Sequence, residues 1–257
     1  MTTEYSGTGD LTRTLELLWS GKEQPSRGPK PGLTLDRIVA TAVALADREG
    51  ISALSMRKVA AELGVGTMTL YRYVPGKGEL LDLMLDHVNG PAEDVAEHRG
   101  KDWRAAMEFI AEGSWTLYTG SPWLLQVSQV RPVLGPSSLT GVESALAALD
   151  GVELDGQEKI GLLTALDAYV LGSARAYVLQ QQATERTGLS DEEFWTAQLP
   201  YLERAMTSGA YPHLAALPEN SFSMSGEEAM KFGLRALLDG FQALVDGRRA
   251  EQQGRGE

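Results

Sequence analysis

Thr67, Thr69, Tyr71, Arg72 and Tyr73 gather four hydroxyls and a guanidinium within one short run. Groups of this kind reach phosphate oxygens and base edges in a DNA groove. Leu70 and Val74, four residues apart, set one apolar side of a helix, which turns Thr67, Met68, Tyr71 and Arg72 outward. Arg57 falls on the first turn of the preceding helix, where it can meet phosphate or a guanine edge. Lys77 opens the helix that follows, whose backbone N–H groups also suit a phosphate. In this arrangement Tyr71, Tyr73 and Lys77 position a helix on the backbone. Thr67, Met68, Thr69 and Arg72 discriminate bases, with Met68 apolar enough to meet a thymine methyl. The same spacing also fits a plain helical hairpin with solvated polar residues.

A second constellation lies downstream. Trp115, Tyr118, Trp123, Tyr169 and Arg175 interleave aromatic and polar groups in apolar surroundings, as in cavities that are mainly apolar with sparse polar anchors. Arg175 interrupts an apolar helix, and if buried it needs an anionic or carbonyl partner. These residues equally suit core positions and helix edges. His87, His98 and His213 have no metal-ligand spacing, and the chain has no cysteine, so neither a metal nor a cofactor is expected. Ser55-Met-Arg-Lys58 matches the Ser-x-x-Lys pattern of penicillin-recognising enzymes, but no Lys-Thr-Gly partner exists, and the serine reads better as a helix cap. The chain is therefore not expected to be an enzyme.

The elements that hold these groups read as helices throughout. Thr34 caps a helix ended by Gly50, Ser55 caps a short one ended by Gly64, and Thr67 to Val74 is a third, stopped by Pro75-Gly76. Three helices with a turn of only Gly64-Val65-Gly66 between the last two follow the helix-turn-helix plan. Lys77 to about Val88, Asp102 to Thr119, 137–149 and 156–186 continue the helical period. Ser190-Asp-Glu-Glu193 and Ser225-Gly-Glu-Glu228 are capping-box patterns opening two more. The stretch 208–224 reads as a loop, and no β-branched alternation suggests a sheet. Leu11, Leu15, Leu18 and Trp19 fit either a short amphipathic helix or disorder, with disorder favoured. The expected organisation is an all-α chain: a flexible N-terminal extension with a basic arm over 1–33, a helix-turn-helix domain over 34–80, and a larger helical domain over 81–250, to which the resemblance described below assigns ligand binding and dimerisation.

The charge distribution follows that division. The 257 residues carry a net charge of −12, yet residues 22–80 hold nine Lys/Arg against six Asp/Glu, and residues 81–257 hold thirteen against twenty-six. A small basic module on an acidic body suits one face meeting a polyanion, while the total argues against indiscriminate coating of nucleic acid. Arg27-Gly-Pro-Lys-Pro-Gly32 is an extended basic piece ahead of the first main helix that could enter a minor groove, or could be an incidental tail. The first ten residues have neither a basic start nor an apolar run, and no run of about 18 apolar residues occurs, so neither a secretory signal nor a spanning helix is expected. The expected setting is the cytoplasm, with no membrane partner.

The run Leu54-Ser-Met-Arg-Lys-Val-Ala-Ala-Glu-Leu-Gly-Val-Gly-Thr-Met-Thr-Leu-Tyr-Arg-Tyr-Val74, followed by Gly76-Lys77-Gly-Glu-Leu-Leu81, resembles the DNA-binding domain of TetR-family transcriptional regulators over about 34–85. By that resemblance Arg57, Thr67, Met68, Thr69, Tyr71, Arg72, Tyr73 and Lys77 occupy DNA-facing positions. The C-terminal two-thirds resembles the ligand-binding and dimerisation domain of the tetracycline-repressor subgroup. The resemblance implies a homodimer that binds double-stranded operator DNA and releases it when a small molecule binds. Where the tetracycline repressor has a metal-chelating histidine, Arg131-Pro-Val-Leu-Gly-Pro136 offers only Val133, which argues against a magnesium–tetracycline ligand. Gly172 and Ala176, with Met230, Leu234, Leu237, Leu238, Phe241 and Leu244 of the last helix, suggest apolar faces that pair with a second copy or pack internally. The alternatives are a non-sensing architectural DNA-binding protein, without cavity or ligand effect, and a helical enzyme.

Overall fold

The structure is a computed structural model that describes residues 4–20, 33–90 and 102–255, with side chains described up to residue 250. The basic piece 27–32 and His98 lie outside the described residues. α2 (Leu35–Glu49), α3 (Met56–Glu62) and α4 (Thr67–Tyr71) form the expected three-helix unit. Thr34 and Ser55 accept the Arg37 and Lys58 N–H groups as N-caps. Gly64 takes the left-handed conformation, φ 68°, that ends α3, and Val65 N–H closes back on Ala60 O at 3.0 Å. Ile38, Ala42 and Leu45 of α2 meet Val59, Leu70 and Val74 in a buried centre completed by Leu80 and Met84. These two belong to α5 (Lys77–Val88), which runs unbroken through the expected domain boundary at 80.

The larger part is built on α8 (Gly156–Thr187), where Leu162, Leu166, Val170, Ala174 and Val178 are buried along one stripe. That stripe packs against α6 (Trp103–Gly120) and α12 (Gly226–Arg255), whose Met107, Ala111, Met230, Leu234 and Leu238 are buried. α8 is long and apolar enough to cross a membrane by length and composition alone. It departs from the sequence expectation in that respect, although no continuous apolar run exists. Asp167 and Arg175 sit on α8, and its buried stripe is occupied by α6 and α12. α7 (Pro136–Ala148) flanks α6 and α5. The short helices α9 (Asp191–Thr196), α10 (Leu199–Thr207) and α11 (Pro212–Ala215) follow α8. The capping boxes at Ser190 and Ser225 form as expected, and a third closes at Asp155.

Three features differ from the sequence reading. Leu11–Ser20 is a helix, α1, with Thr14 and Leu18 buried against α5, so residues 4–20 are a docked element and not a flexible extension. Glu4–Tyr5 (β1) and Val127–Ser128 (β2) form a two-residue parallel ladder, too short and too distant in sequence for alternation to reveal. The stretch 208–224 contains α11 and a 3₁₀ turn at Glu219–Phe222.

Candidate DNA-reading surface and ligand cavity

The recognition candidate α4 presents its polar side to solvent. Leu70 and Val74 are fully buried, which leaves Met68 76 % exposed and Tyr71 43 % exposed, with Thr69, Arg72 and Arg57 also exposed. Thr67 and Tyr73 are half-buried, and Tyr73 leans on the core. Behind this surface, Arg48 bonds Glu49 and Glu62, and Lys58 Nζ lies 2.8 Å from Glu49 Oε2. This network ties the end of α2 to α3, and the Lys58 and Arg48 hydrogen bonds hold the Glu49 carboxyl below its usual range. Lys77 differs from the other seven. It is half-buried at the head of α5, and its Nζ pairs with Glu4 Oε1 at 2.9 Å. The seven others form an open surface of hydroxyl, thioether and guanidinium groups, while the eighth already has an anion.

A cavity of about 970 Å³ opens between α6, α7, α8 and the segment 122–130. From α8 it is lined by Leu163, Asp167, Leu171, Arg175 and Leu179, every fourth residue. Two polar anchors stand two helical turns apart along that apolar wall. Tyr118 Oη donates to Asp167 Oδ1 at 2.7 Å, and Arg175 Nη2 donates to Leu125 O at 2.8 Å. Burial first, and the Asp167 charge second, push the Tyr118 hydroxyl far above its ordinary range, so it remains a donor. Asn89 Nδ2 donates to Gln129 Oε1 at 3.3 Å, and both residues line the cavity.

Tyr118 and Arg175 thus reach the cavity wall. Trp115, Trp123 and Tyr169 turn to other work. Trp115 packs on Tyr177 with ring centroids 5.3 Å apart. Trp123 Nε1 donates to Asp47 Oδ1 at 2.7 Å and so joins the larger part to α2. Tyr169 Oη lies 3.0 Å from Met230 O and 3.2 Å from Ala229 O, and its single proton, directed to either carbonyl, fastens α8 to α12. Asp167 escaped the sequence reading. Its signal was the four-residue repeat that places an acid and a base on one apolar line of α8. Among the described residues no three His, Cys, Asp or Glu side chains cluster as a metal site, and Val133 packs beside Gly7.

Two family models match the chain. "Bacterial regulatory proteins, tetR family" covers residues 38–84, and "Tetracyclin repressor-like, C-terminal domain" covers 97–245. The chain is 54 % identical over 237 residues to the HTH-type transcriptional repressor DrrR1 of Streptomyces coeruleorubidus, spanning 92 % of this chain and 87 % of that protein. It is 36 % identical over 178 residues to an HTH-type transcriptional regulator of Saccharopolyspora erythraea, spanning 68 % of this chain and 74 % of the other. Among solved structures, ActR of Streptomyces coelicolor in complex with actinorhodin superposes with a TM-score of 0.64 at 25 % identity, over 85 % of this chain and 99 % of that one.

Proposed function

This chain belongs to the TetR family of transcriptional repressors, and from that premise we propose that it acts in the cytoplasm as a homodimer released from a palindromic operator by a small molecule. The relatives and both domain matches are those of regulators, which sets the helical enzyme aside. Arg72, Thr67, Met68 and Thr69 read base edges, Tyr71, Tyr73 and Arg57 meet phosphate, and one α4 per protomer enters the major groove. Dimerisation is supported by apolar side chains left in solvent on α8 and α12, including Ile160, Phe232 and Leu244. Gly172 on the same helix has open space over its Cα, which suits close approach of a second helix.

The observation that carries effector responsiveness is the segment 122–128. Leu125, Val127 and Ser128 line the cavity, while Trp123 between them and α6 bonds Asp47 of the DNA-reading domain. A ligand that contacts this wall differently in two arrangements of the chain must bias the reading domain. The cavity suits a ring-bearing molecule with polar edges. Its hydroxyl or carbonyl groups would meet Asp167 and Arg175, and its body the Leu163–Leu179 wall. Actinorhodin, bound by ActR, is a first probe. The architectural alternative has no use for this cavity.

The test is fluorescence anisotropy on the duplex upstream of the protein's own gene. The intact protein should bind it, and Arg72→Ala should lose about 5- to 150-fold on that site, corresponding to ~1–3 kcal/mol, with little change on random duplex. Absence of any complex at low salt refutes the DNA assignment. A probe that quenches tryptophan emission through the cavity, weakened by Arg175→Leu, should lower duplex affinity. Binding without that effect refutes release.

A further inference from the structure

Residues 4–20 touch both halves of the molecule. β1 pairs Glu4 with Val127 and Tyr5 with Ser128, and Ser6 N–H extends the ladder to Ser128 O at 3.1 Å. Val127 and Ser128 are cavity wall. The chain then crosses the head of α5. Ser6 Oγ and Gly7 N–H each donate to Asp82 Oδ1 at 2.9 Å, and Asp10 N–H donates to Glu79 Oε1 at 2.7 Å. The crossing is closer than side chains permit, since a Cβ on Gly78 would stand 2.7 Å from Gly9 N. Gly7 turns with φ 71°, which favours glycine. At the start of this crossing, Glu4 takes the ammonium of Lys77, leaving both side chains about a third exposed.

We propose that residues 4–20 form a strap that withholds Lys77 from DNA phosphate and links that restraint to the cavity wall. The inference rests on the DNA-binding reading above. Glu4 and a phosphate compete for one ammonium, so duplex binding favours an undocked Glu4, and an undocked Glu4 loosens its partner Val127. Linkage makes the effect reciprocal: a ligand that favours the paired β1–β2 arrangement favours the Glu4–Lys77 pair and opposes duplex binding. The glycines at 7, 9 and 78 allow the strap to lie close enough for main-chain N–H groups to reach Glu79 and Asp82.

Glu4→Gln tests the pair without disturbing the glycine crossing. Measured on random duplex against salt, Glu4→Gln should bind about two- to fivefold more tightly, the worth of one partly exposed ion pair. It should also steepen the salt slope by about 1 through one additional phosphate contact. The gain should vanish when Glu4→Gln is combined with Lys77→Ala, whereas a general electrostatic effect of removing an acid would persist there. Hydrogen exchange supplies the second readout: adding duplex to the intact protein should speed exchange at the Ser6 amide and within 126–129, and Glu4→Gln should exchange fast there already. Unchanged affinity and slope in Glu4→Gln, a gain that survives Lys77→Ala, or exchange at Ser6 and 126–129 indifferent to duplex overturns the strap while leaving the DNA assignment intact. Failure of every variant to bind any duplex overturns both.

Discussion

Asp86→Ala should be among the most damaging single changes outside the apolar core. Asp86 is 5 % exposed near the end of α5, and its carboxylate accepts Ser138 N–H at 2.9 Å and Ser137 N–H at 3.3 Å. These two groups open α7, which has no cap of its own. Its N-cap is Gly135, and its first residue, Pro136, has no N–H to satisfy. The cap therefore comes from another helix, and alanine leaves two half-buried donors without an acceptor. Losing an N-cap costs about 0.5–2 kcal/mol, and leaving a buried donor unpaired about 1–3 kcal/mol. With the serines half-buried we expect a combined loss of about 2–3 kcal/mol. In a chain of this size that lowers Tm by about 4–12 °C, readable by calorimetry or by circular dichroism at 222 nm. Asp86→Asn keeps one acceptor oxygen and should lose about half as much. Because the contact is buried, the difference should persist in 1 M salt. An alanine variant within 1 °C of the parent, or an asparagine variant as unstable as the alanine one, would refute the capping argument.

Two further outcomes follow from close contacts and from burial. Gly233→Ala places a Cβ 2.7 Å from Tyr169 Cζ, so it should destabilise by about 1–3 kcal/mol and weaken the α8–α12 pairing, with part of the Tm loss regained in the double variant with Tyr169→Phe. Burial pushes the Asp82 carboxyl up, with the neighbouring Glu79 charge adding to it, against the opposing Gly7 and Ser6 hydrogen bonds. A raised acid makes the folded state bind more protons than the unfolded one from about pH 3.9 upward, so its contribution is present below that pH and lost as pH rises through the folded value. Asp82→Asn should therefore gain stability relative to the parent as pH rises above about 3.9, and a stability difference that stays constant or moves in the parent's favour would count against this.

The sequence reading succeeded where causes are local. Ser55, Gly64 and the apolar pair Leu70 and Val74 define the turn and the outward side of α4 within about twenty residues, and the Ser190 and Ser225 boxes close over three. It missed contacts made at a distance. Tyr5 and Ser128 pair across more than a hundred residues, and a two-residue ladder has no periodicity to detect. Glu79, Asp82 and Asp86 appear as polar interruptions in a leucine-rich helix until main-chain donors from residues 7, 10, 137 and 138 arrive at them. Trp123 and Tyr169 were read as cavity residues because an amphipathic ring is equally at home against a ligand. Asp47 and the Met230 carbonyl decided otherwise, and both are distant in sequence.

Those three acids also limit how the molecule can be taken apart. A chimera made by joining residues 34–80 to the body of another repressor would cut α5 after its fourth residue and leave Asp82 and Asp86 behind, with Glu79 deprived of Asp10. Viable grafts must carry the opening segment, the whole of α5 and the start of α7 as one cassette. In this chain the transferable unit is defined by which amides the helix holds and not by where the recognition motif stops.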